Sequence, residues 1–138
     1  MSVSKVFIDS NVLLYLLSGD DDKANVVERV IQDGGIISMQ VLNEVTNVAR
    51  RKLAMPWDDV GELIETITAL CAVEPLTVEV NQQGRKIAQR YGLSVYDAMI
   101  VASALLADCQ TLFSEDVQDG LVVNEVLSIR NPFLKKSA

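Results

Sequence analysis

Lys5-Val6-Phe7-Ile8-Asp9-Ser10-Asn11-Val12-Leu13-Leu14-Tyr15-Leu16-Leu17 is the stretch on which the reading of the fold turns. A short apolar run stops at three small polar residues suited to opening a helix, and a second apolar run follows. That order reads as strand, tight turn, helix.

The same alternation extends in both directions from this unit. Asp20–Asp22 precede a helical stretch, Lys23–Gln32, which Gly34-Gly35 ends. Ile36-Ile37-Ser38 reads as a short buried strand. A helix from about Met39 to Ala54 follows, with Val41, Val45, Val48 and Ala49 as its apolar stripe. Pro56 ends that helix, and Asp58 or Asp59 caps the next, which runs to about Leu70. Cys71–Val73 is a candidate strand. Thr77 opens a helix that Gly92 closes, and Ser94 opens another over Val95–Ala107. The last is apolar on nearly every side, the mark of a buried central helix. Thr111–Phe113 is a strand, and Val122-Val123 with Val126–Ile129 supplies one or two more. Strands alternating with helices predict an α/β fold: a mostly parallel sheet of four to five strands with helices on both faces. With no repeat or linker in its 138 residues, the chain reads as a single domain, 1–138.

Bulk composition narrows the function. An apolar fraction of 49% describes an ordinary globular core. Met1–Ser4 is short and polar, and Val12–Leu17 is too brief to span a bilayer, so neither a signal peptide nor a membrane role is expected. Lys135 and Lys136 are too few for a surface anchor. Cys71 and Cys109 match no metal spacing and no disulfide framework, which points to a reducing cytoplasm. The net charge of −7 opposes a nucleic-acid partner unless cations bound among the acids reverse the local sign. The chain has no histidine, so Ser-His-Asp chemistry and His-based zinc sites are both excluded. Catalysis must run on carboxylates, hydroxyls, Lys, Tyr or Cys.

Four of those carboxylates share one predicted location. Parallel sheets place ligand sites at the carboxyl ends of their strands. Asp9 directly follows the first strand, and Asp116 stands three residues beyond Phe113. Glu44 lies in the second turn of the helix leaving Ser38, only about 8 Å along its axis. Asp97 is in the first turn of a helix that leads into a parallel strand, and a right-handed crossover must start that helix at the carboxyl edge. Each acid also has a plain structural reading. Asp9 can cap its helix, Glu44 can form a half-buried ion pair, Asp97 completes a Ser94-x-x-Asp97 capping box, and Asp116 can serve as a turn residue. Their joint placement favours a site. Grouped carboxylates repel one another, and a hard divalent ion such as Mg²⁺ or Mn²⁺ relieves that repulsion.

Several segments together resemble a known family. They are F-I-D-S-N-V-L-L-Y (Phe7–Tyr15), Asn43-Glu44 in an apolar helix, Y-D-A-M-I-V-A-S-A (Tyr96–Ala104), T-L-F-S-E-D-V-Q-D-G (Thr111–Gly120) and I-R-N-P-F (Ile129–Phe133). The ordered set resembles the PIN domain, and most of all its VapC-like toxin branch. The resemblance implies a Mg²⁺- or Mn²⁺-dependent endoribonuclease acting through Asp9, Glu44, Asp97 and Asp116, with Asp119 as a fifth candidate. It implies supporting roles for Ser10, where many members have Thr, and for Asn11 and Ser114. It further implies RNA as substrate, a homodimer and a small antitoxin protein as partner. Candidate phosphate contacts are Arg50, Arg51 and Lys52, with a second group at Arg85, Lys86 and Arg90.

Three other readings compete. Asp9-Ser10-Asn11 is similar to the nucleophile loop of haloacid-dehalogenase-like phosphatases, but Asn11 replaces the general acid. A receiver domain would need adjacent acids after the first strand and a Lys after the last. A binding module on the PIN fold would keep the acids without turnover.

Overall fold

Asp9 ends the first strand and opens the first helix, and the sheet is ordered around that point. The computed structural model describes residues 5–134; the expectations placed on Met1–Ser4 and on Lys135 and Lys136 lie outside the described residues. Strand β1 (Val6–Ile8) leads into a single helical turn, α1 (Ser10–Leu13), which tightens into a 3-10 helix over Leu14–Leu17. The expected helix over Val12–Leu17 is thus two short pieces that begin earlier, because Asp9 itself takes the capping position and its carboxylate accepts the Ser10 N–H. Helix α2 (Asp21–Gln32) starts on an Asp20 side-chain cap. Gly34 then turns the chain at a φ of +90°, a conformation open to Gly at no steric cost.

Strand β2 (Gly35–Ser38) feeds α3 (Met39–Arg51), which Ser38 caps through its bond to Val41 N–H. Helix α3 buries Val41, Leu42, Val45 and Ala49, so Leu42 takes the place expected of Val48, which is half-buried. Helix α4 (Trp57–Leu70) begins one residue after Pro56. Asp58 and Asp59 therefore sit in its first turn, where they complement the helix dipole without capping it. Strand β3 (Cys71–Glu74), α5 (Val78–Tyr91) and α6 (Val95–Leu106) follow. Thr77 caps α5 and Gly92 closes it in the left-handed conformation.

The expectation of a buried central helix holds for α6, in which every residue from Ala98 to Ala104 is buried. Its close neighbour is α5. A Cβ at Gly84 would come within 2.5 Å of Met99 Sδ, so the Met99 side chain packs into the space that glycine leaves on α5.

Strands β4 (Thr111–Phe113), β5 (Val122–Val123) and β6 (Leu127–Arg130) complete a six-stranded sheet of order β3-β2-β1-β4-β6-β5. Only β5 runs antiparallel, against β6 at the sheet edge. The sheet has more strands than the four to five expected, because Val122-Val123 and Leu127–Arg130 pair with each other as separate strands. Strand β1 lies at the centre, flanked by β2 and β4, with Ile8 opposite Phe113. No helix among the described residues is long and apolar enough to cross a membrane.

Candidate active site

With β1 between β2 and β4, the residues that leave those three strands share one edge of the sheet. Asp9 follows β1, Ser114 follows β4, and Ser38 passes into α3 after β2. Asp9 is 4% exposed, unusually deep for an aspartate. Its Oδ1 accepts the Ser10 N–H at 2.7 Å, and its Oδ2 accepts the Ser114 hydroxyl at 2.8 Å and the Asn11 amide at 3.3 Å. Ser114 is itself buried. Its oxygen also receives the backbone N–H groups of Asp116 and Val117, both at 3.2 Å, so one hydroxyl ties the turn after β4 to the acid after β1. Asn11 closes the loop by accepting the Glu115 N–H at 3.1 Å.

Glu44 reaches this cluster from α3. The Ser10 hydroxyl lies 3.1 Å from Glu44 Oε2 and 3.4 Å from Asp9 Oδ1, one proton between two carboxylates. Gln40, one turn before Glu44, donates to Glu44 Oε1 at 3.1 Å and to the Tyr96 carbonyl at 3.2 Å. It thereby links α3 to the start of α6. Ser94 caps α6 by accepting the Asp97 N–H at 3.3 Å, which satisfies the backbone half of the capping box. The Asp97 carboxylate remains half-buried beside the site.

The charges act on one another. Burial raises the Asp9 pKa to about 6; the Ser114 and Ser10 hydrogen bonds pull it down, and the negative charges of Glu44 and Asp97 push it up. The single ion pair among the described residues joins Lys23 and Glu115 at 3.5 Å, so no cation neutralises Asp9.

Glu44 and Asp97 are therefore each close enough for their charge to act on Asp9. Asp116 stands in the adjoining turn with an exposed side chain, held there through its N–H on Ser114. Asp119 is engaged elsewhere, since its carboxylate accepts the Asn131 N–H at 2.7 Å and pins the closing turn. Among the described residues, no three acids approach within the reach of one ion as their side chains stand. The donor set nonetheless suits a hard divalent cation. It consists of oxygens only, it carries surplus negative charge, and one member is buried without a counter-ion.

The basic groups divide. Arg50 is occupied, donating to the Met55 carbonyl at 3.0 Å and lying 4.8 Å from the Trp57 ring centroid. Arg51 and Lys52 line an open groove with Asn47 and Val48. Arg85 and Lys86 line another on α5, and Arg90 packs on Tyr91. Gln40 was not anticipated as a site residue. Its spacing of four from Glu44 is the sequence signal that could have pointed to it.

A family model described as the PIN domain matches residues 6–118, which include Asp9, Glu44, Asp97 and Asp116. The chain belongs to the PIN domain family. Its fold is similar to that of a chain in a toxin–antitoxin complex from Klebsiella pneumoniae, at a TM-score of 0.70 and 21% identity over 94% of this chain and 98% of that one. It also resembles Mycobacterium tuberculosis VapC20, a toxin that cleaves the sarcin–ricin loop, at a TM-score of 0.62 and 18% identity over 82% and 91% of the two chains. Rickettsia felis VapBC2, solved on a DNA fragment from its promoter, gives a TM-score of 0.65 at 13% identity over 91% and 97%. At these identities the likeness speaks to the fold. No curated protein matches the chain in sequence.

Within this PIN domain the phosphatase reading gains no residue, since both ends of the Asn11 amide are committed to Asp9, Ser114 and the Glu115 N–H.

Proposed function

We propose that this PIN domain is a divalent-metal-dependent endoribonuclease and the toxin of a toxin–antitoxin pair. The observation that carries the reading is Asp9: a buried carboxylate without a cation, raised toward neutrality by burial and facing the negative charges of Glu44 and Asp97. Mg²⁺ or Mn²⁺ held by Asp9, Glu44 and Asp97, with Asp116 in reach of the same edge, would lower the pKa of a water and polarise a phosphoryl oxygen there.

The chain's own groups do the positioning. Ser10 and Ser114 fix the two oxygens of Asp9, and Asn11 braces both Asp9 and the turn that bears Asp116. Arg51 and Lys52, on the exposed end of α3, are placed to take flanking phosphates. The reaction is in-line hydrolysis. A water oxygen bonds to phosphorus, the P–O3′ bond breaks, and the departing oxygen takes up a proton, leaving 5′-phosphate and 3′-hydroxyl ends.

The Klebsiella pneumoniae complex supports an antitoxin protein as partner, and a homodimer is the assembly we assign. Cytoplasmic placement fits two buried free thiols, with burial pushing Cys109 up to about 11. The test is cleavage of single-stranded RNA under a Mn²⁺ titration with end analysis of the products. Activity that rises with Mn²⁺, vanishes in chelator and leaves 5′-phosphates is expected. An RNA left intact at every Mn²⁺ concentration would make the chain a PIN-fold binding module.

A further inference from the structure

The polar face of α3 does more than present one acid. Gln40, Asn43, Glu44 and Asn47 are spaced i, i+3, i+4 and i+7, so three uncharged amides surround the site acid on one face. A groove of about 420 Å³ lies along this row, and Leu76 and Tyr96 complete its wall. Tyr96 is 75% exposed and immediately precedes Asp97. Gln40 bonds both Glu44 and the Tyr96 carbonyl, so the groove wall and the acid are held in one frame. Asn47 also lines the next groove, with Val48, Arg51 and Lys52. Along the helix, Glu44 and Arg51 are about 10 Å apart.

Acid, neutral amides with an aromatic ring, then cations: that succession selects its occupant. Within the groove's own lining a basic peptide would find one carboxylate, Glu44, and would then be repelled by Arg51 and Lys52. An acidic peptide would meet the opposite conflict at Glu44. A nucleotide strand satisfies each part in turn, because its base is flat and uncharged with a hydrogen-bonding edge, while the phosphate that follows is anionic. Tyr rings stack on bases, and Asn side chains offer a donor and an acceptor to a base edge.

We propose that this groove is a nucleobase subsite of the nuclease. The base next to the cleaved linkage stacks on Tyr96 and turns its edge to Asn43 and Asn47, and the strand continues to Arg51 and Lys52. The subsite rests on the nuclease reading and adds to it a source of cleavage-site preference.

Anisotropy titrations of the intact chain in chelator at low salt test it, with 5′-labelled hexamers of A, U and C and a ribose-phosphate hexamer that lacks bases. Wild type should bind the RNAs more tightly than the baseless strand. Tyr96→Ala should weaken RNA binding about tenfold, within the five- to 150-fold that loss of base stacking spans. It should leave the baseless strand unaffected. Tyr96→Phe should restore stacking, and the double variant Asn43→Ala/Asn47→Ala should level the differences among A, U and C.

Equal RNA binding by wild type and Tyr96→Ala, or equal binding of the baseless strand and RNA, overturns the subsite. If RNA cleavage still depends on Asp9 in that event, the nuclease reading stands without it. Failure of wild type both to bind and to cleave RNA overturns both. A labelled Arg-rich peptide whose binding Tyr96→Ala weakens, with RNA binding unmoved, also overturns the subsite and assigns the groove to a protein partner.

Discussion

Asp9→Asn is expected to lower RNA cleavage by about a hundredfold or more while the protein still folds. Even residues that only orient metal ligands cost about 10–100-fold when changed, and Asp9 is proposed as a ligand itself. Asn preserves the side-chain shape, so the Ser10 N–H keeps an acceptor in the cap of α1. The Ser114 oxygen already accepts the Asp116 and Val117 N–H groups, so an amide nitrogen facing it finds no free acceptor, and the variant is expected to lose some stability without losing the fold. What disappears is the buried negative charge. Initial rates at saturating Mn²⁺, set beside thermal melts of both proteins, measure the effect. Equal rates would mean that the observed cleavage comes from a contaminant or from another site.

The same residue predicts an unusual stability profile in the absence of divalent ions. A free aspartate carboxyl ionises near 3.8, and burial, which disfavours the charge, raises Asp9 to about 6 in the folded chain. Between those values the folded state holds a proton that the unfolded state has released. Stability from this group is therefore complete below about pH 4, falls as pH rises through 6, and is lost above it. The two pKa values put the loss at about 3 kcal/mol by neutral pH. Denaturant midpoints of wild type and Asp9→Asn, taken in chelator from pH 4 to 7.5, should diverge in that direction as pH rises. Added Mn²⁺ should recover the wild type at neutral pH and leave the variant little changed. Parallel pH profiles for the two proteins would show that Asp9 ionises at its ordinary value.

The strand–turn–helix at Lys5–Leu17 made the fold legible, because apolar periodicity and cap residues are local and survive in the chain as written. The same holds for the buried α6 and for Gly92. What local pattern could not supply was the partner of each strand. The position of β1 between β2 and β4 decides that Asp9, Ser114 and the start of α3 meet, and it follows from long-range pairing. The pairing of β5 with β6, which raised the strand count, is likewise non-local.

For the site, chain order and crossover handedness suffice to place four acids near one edge, yet they do not fix how exposed side chains lie. Asp9 is set by three hydrogen-bonding neighbours. Asp116 is exposed and is tied down through its backbone N–H, whereas Glu44, also exposed, is held by the Ser10 hydroxyl and the Gln40 amide. Asp119 was drawn to the site by its motif, but its nearest partner is the Asn131 N–H. Arg50 looked free on a basic stretch, yet the Met55 carbonyl and the Trp57 ring, both beyond the end of its helix, hold it. For Asp119 and Arg50 the deciding contact comes from a residue that periodicity does not relate to the one in question.

The account depends on acids from separate segments acting on one ion, and Mn²⁺ binding followed by electron paramagnetic resonance tests that most directly. Wild type should bind Mn²⁺, and Asp9→Asn, Glu44→Gln and Asp97→Asn should each weaken binding by about tenfold or more. Unchanged Mn²⁺ affinity in all three variants would contradict a shared metal site at the carboxyl edge of β1.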